Sequence, residues 1–194
     1  MNIFLIGYRG TGKTAVGKIL AEKRKQDFID ADLALEKEND ISISEMVAEH
    51  GWGYFRQKER ETLIRLCKGD HQIIATGGGV ILNPENIRIM RENGKVIWLK
   101  ASAETVTSRI LKDEKTASQR PALTDKGVMD EIEETLSFRC PLYEKAADFS
   151  VDTDGMGLKT ICKSLMEKIG GDPVHQGIQP AVPFQGSESE NSDP

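Results

Sequence analysis

The sequence is poor in cysteine, and its three thiols, Cys67, Cys140 and Cys162, are odd in number and scattered. With no C-x-x-C and no Cys/His spacing, neither a disulfide framework nor a zinc site is expected, and each thiol reads as a small buried hydrophobe. Long apolar runs are missing too: nothing approaches the ~20 residues of a membrane span. The opening Ile3-Phe4-Leu5-Ile6 is too short for the apolar core of a secretory signal, lacks a basic flank and runs straight into glycine. A cytoplasmic location is therefore expected. Nor is there a surplus of positive charge. A net charge of -5 gives no overall attraction to nucleic acid or anionic membrane, and neither is expected as a partner. Any anionic ligand has to be met by particular placed cations.

What remains is a chain of 194 residues, 38% hydrophobic and 29% charged, the size of one globular domain with a real core plus a tail. Short apolar runs at 3–7, 28–30, 73–76, 96–100 and 149–152 alternate with segments of helical period at 15–24, 59–66, 103–111 and 129–138. Such alternation predicts an α/β fold with a largely parallel sheet covered on both faces. Ser42-x-x-Glu45 fits a capping box, and Asn83-Pro84 an N-cap followed by an N1 proline. After a domain at 1–169, residues 170–194 carry more than half of the seven prolines and are expected to form a disordered or loosely attached tail. The polar stretch 113–126 interrupts two helical patterns and reads as a mobile lid.

Gly7-Tyr8-Arg9-Gly10-Thr11-Gly12-Lys13-Thr14 satisfies G-x-x-x-x-G-K-S/T between an apolar strand and a helical pattern. Its glycines let backbone N–H groups converge on phosphate oxygens and the following helix adds its dipole. Lys13 would reach the β and γ phosphates, and the Thr14 hydroxyl would ligate Mg2+. ATP is thus expected along Gly10, Thr11, Gly12, Lys13, Thr14 and Ala15. A rival lies in the same letters, since Gly10 to Ala15 also matches the dinucleotide pattern G-x-G-x-x-A. That pattern would start three residues late, after Gly7 has ended the strand, and would leave Lys13-Thr14 without a role. A switch GTPase is disfavoured because no guanine-reading N-K-x-D is present. Asp152-Thr153-Asp154-Gly155 reads as a turn.

Later strands end in Thr76-Gly77-Gly78-Gly79 and Trp98-Leu99-Lys100, and neither offers the aspartate that nucleotide hydrolases use for magnesium. Asp27-Phe28-Ile29-Asp30-Ala31-Asp32 can supply it: Asp30 is expected to serve the metal, directly or through water. On an extended segment alternate residues point the same way, which leaves Asp32 to face an acceptor hydroxyl. A loose phosphoryl-transfer transition state gains mostly from positioning and charge neutralisation, so one hydrogen-bonding carboxylate suffices. Arg56 stands at the head of a helix after "GWGYF", either facing a ligand or paired with Glu59 on one surface. Three successive glycines suggest backbone approaching a ligand closely. Arg139 precedes Pro141, which is expected to bend or break its helix. Two arginine forks beside one acid suit a small polyol carrying a carboxylate.

Taken in order, the Lys13 loop, Asp30 and Asp32, Phe55-Arg56, Gly77 to Gly79, Arg120-Pro121 and Arg139-x-Pro141-Leu142-Tyr143 resemble the shikimate kinase family over about residues 1–168. The resemblance implies a three-layer P-loop kinase fold with a five-stranded parallel sheet in the order 2-3-1-4-5 flanked by helices, and a monomer. It implies Mg2+-dependent transfer of the ATP γ-phosphate to the 3-hydroxyl of shikimate, a step toward chorismate and the aromatic amino acids. Asp32, Arg56, Gly78 and Arg139 would hold shikimate, Arg109 would pack on adenine, and Arg120 in the lid would meet the phosphates. Lys13, Asp32 and Arg120 would be catalytic. The Arg109 to Arg120 spacing is a few residues longer than usual. Asp154-Gly155-Met156-Gly157 lacks the polar or basic side chain often found there. Two other readings stay open: a related kinase of another polyhydroxy acid such as gluconate, and a nucleotide-binding module without transfer. The arginine pair with the triple glycine favours shikimate, and intact Lys13, Asp32 and Arg120 favour catalysis.

Overall fold

The computed structural model describes residues 1–112 and 127–170. The lid expected at 113–126, with Arg120 and Pro121, lies outside the described residues, as does the tail expected at 170–194 except Gly170, which ends the last helix instead.

β1 (Asn2–Ile6) is apolar on both faces and wholly buried, as the central strand of a parallel sheet has to be. It pairs on one side with β3 (Gln72–Ala75) and on the other with β4 (Gly94–Lys100). β2 (Asp27–Asp30) and β5 (Phe149–Asp152) pair outside these. All pairs are parallel and the order is β2-β3-β1-β4-β5, the order that the family resemblance implies. Strands start within two residues of the positions read from the apolar runs.

Seven described helices cover the faces: α1 (Lys13–Arg24), α2 (Ala31–Asn39), α3 (Ile43–Leu66), α4 (Pro84–Asn93), α5 (Ala103–Lys112), α6 (Val128–Ala146) and α7 (Leu158–Gly170). The period of two in β1 splits the core into two layers. Ile3 and Leu5 pack with Val16 and Leu20 of α1 and Ile161 and Leu165 of α7. Phe4 and Ile6 pack on the other face with Leu63, Met90 and Tyr143, from α3, α4 and α6. Truncating one of these buried side chains, Leu20 for instance, costs about 2–5 kcal/mol.

Local signals hold where they were strongest. Ser42 and Glu45 form the reciprocal capping box, and Asn83 accepts from the Glu85 N–H with Pro84 at the first helical position. Two expectations need correction. Arg56 was expected at the head of a helix, yet α3 runs from the Ser42 cap at Ile43 through Arg56 to Leu66 and leaves helical geometry only at Gly51 (φ 79°, ψ 168°); the glycines at 51 and 53 hid the continuity of its two parts. The helix that carries Arg139 does not stop at Pro141 but runs on to Ala146. The proline forgoes one hydrogen bond, and buried Tyr143 and Ala146 anchor the turns beyond it. Among the thiols only Cys162 is fully buried, while burial pushes the half-buried Cys67 thiol up to about 11, which leaves it poorly nucleophilic.

Candidate active site

The phosphate loop runs from the end of β1 to the start of α1. Gly7, Gly10 and Gly12 have φ of 141°, 77° and 91°, left-handed backbone that a side chain would strain. Because the cap of α1 is Gly12 with no side-chain bond, the first-turn N–H groups are left to an anion. Lys13 Nζ donates to the carbonyls of Gly7 (2.7 Å) and Tyr8 (2.8 Å), folded across the loop it serves. Thr11 is buried, its hydroxyl donating to the Tyr8 carbonyl at 2.8 Å, so its side chain braces the loop. Gly10, Gly12, Lys13, Thr14, Ala15, Asp30, Asp32 and Arg109 line the cavity above.

Asp30 and Asp32 do reach one cavity, though not by strand alternation. Asp30 ends β2 and caps α2, its Oδ1 accepting the N–H of Asp32 (3.1 Å) and of Leu33 (3.4 Å). Asp32 therefore stands in a helical first turn, and the extended i, i+2 geometry is replaced by a strand-to-helix cap. The second oxygen of Asp30 accepts from the Thr14 hydroxyl at 2.8 Å.

A second cavity adjoins the first, walled by Asp32, Arg56, Glu59, Gly77, Gly78, Gly79 and Arg139, with Tyr8, Trp52 and Phe55 around them. The triple glycine is set by space, since none of the three has positive φ. A Cβ on Gly77 would meet Asp32 Oδ1 at 2.7 Å and Glu59 Oε1 at 2.8 Å, and one on Gly79 would meet Arg56 Nη2 at 2.2 Å. A methyl group at either position would displace the charges that converge there. The Gly78 carbonyl accepts from Arg139 Nη1 (3.3 Å) and the Tyr143 hydroxyl (2.5 Å), so the strand end is tied to α6.

The shikimate kinase family model matches residues 9–170. The chain belongs to the shikimate kinase family. A shikimate kinase of Syntrophus aciditrophicus is 38% identical over 175 residues, covering 86% of this chain and 90% of that protein. One from Caldicellulosiruptor bescii is 41% identical over 153 residues, 79% and 86% of the respective chains. Among solved structures, shikimate kinase from Acinetobacter baumannii in complex with shikimate superposes with a TM-score of 0.81 at 28% identity, covering 87% of this chain and 92% of that one. Shikimate kinase from Bacteroides thetaiotaomicron gives 0.79 at 30%, covering 88% and 98%.

In this member of the shikimate kinase family, Arg56 lines the second cavity and is paired with Glu59 as the spacing suggested. Its Nη1 pairs with Glu59 Oε2 at 2.7 Å, but Glu59 is buried inside the cavity wall rather than on a solvated face. Arg56 also lies over the rings of Phe55 (4.8 Å) and Trp52 (5.6 Å), which fixes the guanidinium plane. Burial pushes the Glu59 carboxyl above its ordinary range, opposed by the charges of Arg56 and Arg139. The i, i+3 spacing was a visible signal for this pair, but only the fold reveals the burial. Tyr143 carried a signal as the end of its motif and turns out to hold Gly78. Arg109 donates to the Gly10 carbonyl (3.3 Å) and to the hydroxyl (3.0 Å) and carbonyl (2.8 Å) of Thr153, tying the phosphate loop to the end of β5. Beyond Thr153, Asp154 accepts the Ser102 N–H and Gly155 turns the chain with φ 65°, as the turn reading expected.

Proposed function

We propose that the two adjoining cavities hold the two substrates of one transfer, ATP on the phosphate loop and shikimate against the triple glycine. Membership of the shikimate kinase family makes the chain an ATP-dependent phosphotransferase, and its residues divide the work. Lys13 exchanges the Gly7 and Tyr8 carbonyls for oxygens of the β and γ phosphates, whose charge it neutralises. Arg56 and Arg139 grip the acceptor carboxylate with forked donors. Asp32 accepts a hydrogen bond from the 3-hydroxyl and aims it at the γ-phosphorus. As the new O–P bond forms, the bond to the bridging oxygen breaks, ADP leaves, and the hydroxyl proton passes late to Asp32.

Thr14 and Asp30 suit Mg2+: they present hard oxygen donors 2.8 Å apart beside the phosphate cavity, and magnesium needs only one or two protein oxygens when phosphates supply others. When bound, the ion would neutralise phosphate charge. Asp30 would then meet it directly or through water while its other oxygen keeps capping α2. Arg109 would brace the loop and the adenine side.

The observation that carries the reading is that Asp32 lines both cavities, with Lys13 on one side and Arg56 on the other. The test is ADP release from purified protein with ATP, Mg2+ and a panel of hydroxy acids. Release that depends on shikimate is expected. Turnover with gluconate but none with shikimate at saturating ATP would overturn the substrate assignment.

A further inference from the structure

Tyr8 and Arg9 occupy the variable positions of the phosphate loop, where the motif itself prescribes no chemistry. Arg9 nevertheless lines both cavities, a property that among the described residues it shares with Asp32 and Ile43, and it is the cation of the three. Its Nη2 pairs with Glu131 Oε1 at 2.9 Å, the two side chains being 16% and 5% exposed. Glu131 belongs to the first turn of α6, and the Arg9 guanidinium also lies 5.6 Å from the centre of the Tyr8 ring. The Arg9 backbone N–H runs beside Gly78, 3.4 Å from where a Cβ there would sit.

A buried ion pair contributes little net stability, because desolvation cancels most of the attraction. This one also leaves the guanidinium under-used: Nε is buried with no hydrogen-bond partner among the described residues. A cation with spare donors at the seam between a donor and an acceptor cavity is where a migrating negative group would need it.

We propose that Arg9 is a further catalytic residue, holding the phosphoryl group as it crosses and as it rests on the acceptor product, and that Glu131 is the positioning residue that aims it. The proposal rests on the two-cavity reading above. Lys13 grips the phosphates on the nucleotide side and Arg56 with Arg139 the acceptor carboxylate, whereas Arg9 meets a charge that shikimate lacks and shikimate 3-phosphate has. The competing account makes Arg9–Glu131 a strut that fastens the loop to α6, and the two accounts differ in which ligand feels the loss.

The test is calorimetric titration of shikimate and of shikimate 3-phosphate, with steady-state kinetics, on wild type, Arg9→Gln, Arg9→Lys and Glu131→Gln. With Arg9→Gln, affinity for shikimate 3-phosphate and kcat should each fall about ten- to a hundredfold, the worth of one or two hydrogen bonds to a charged group. Shikimate affinity should stay within about twofold. Arg9→Lys should recover part of the product affinity, and Glu131→Gln should show the same selective pattern more weakly. Equal losses for both ligands, or no loss for either, would overturn the assignment. If Arg9→Gln does not fold, Arg9→Lys and Glu131→Gln decide by the same selectivity. Wild type that ignores shikimate would instead overturn the substrate reading, a separate failure.

Discussion

The half of the site proposed to hold the donor and the half proposed to hold the acceptor are built in opposite ways. The donor half is nearly contiguous: residues 7–15 make the loop, and its geometry follows from three glycines with positive φ and the bare N-terminus of α1. The acceptor half gathers Asp32 from α2, Arg56 and Glu59 from α3, Gly77 to Gly79 from the end of β3 and Arg139 from α6. Nothing in one stretch of sequence holds those charges together. What makes room for them is the absence of two side chains, since Cβ atoms at Gly77 and Gly79 would strike Asp32, Glu59 and Arg56. A site made by local backbone conformation is robust to changes elsewhere, while a site made by convergence can be broken from any of its walls.

Of the breaks confined to one half, the strongest is on the donor side. Lys13→Met removes the cation folded over the loop and should lower turnover about 10²–10³-fold or more, with ATP affinity weakened and shikimate affinity nearly kept; titration of each ligand separates the two. An acceptor-side break comes next. Gly79→Ala pushes the Arg56 guanidinium aside and should raise KM for shikimate about ten- to a hundredfold while KM for ATP changes little, because a forked pair to a carboxylate is lost. Equal effects on both substrates would mean that the halves are not separable.

The smallest effect concerns stability. Burial raises the Glu59 carboxyl in the folded protein, so the folded state binds a proton more tightly than the unfolded chain does. Its contribution is fully present below the ordinary value of 4.5 and is lost as pH rises through the raised value. Glu59→Gln removes that loss. Tm measured in parallel across mildly acidic pH should therefore show wild type falling relative to the variant as pH rises; a constant difference would mean that Glu59 titrates as an exposed acid does.

The same contrast explains what could be read from the sequence. Strand positions, sheet class and the phosphate loop follow from short-range pattern, because hydrophobic alternation and glycine-rich turns act locally. Register, the continuation of α6 through Pro141 and the joining of the helix capped at Ser42 to the one that carries Arg56 did not, since tertiary packing by Tyr143 and Ala146 overrides the proline and Gly51 masks periodicity. The acid pair was legible as chemistry but not as geometry: Asp30 and Asp32 share a cavity through a helix cap, a choice between strand and helix that two residues cannot announce. Glu59 looked like a surface partner because spacing says nothing of burial. Sequence order of the motifs, by contrast, sufficed for the family, because the constellation is longer than any of its parts.

The division between donor and acceptor meets at Asp32, which lines both cavities. Asp32→Asn keeps the size and loses the charge proposed to receive the hydroxyl proton, so shikimate-dependent ADP release should fall about 10²–10⁴-fold. ATP affinity, titrated on the same protein, should stay within about threefold of wild type. Near-normal turnover in Asp32→Asn, or a loss of ATP affinity as large as the loss of rate, would contradict the account.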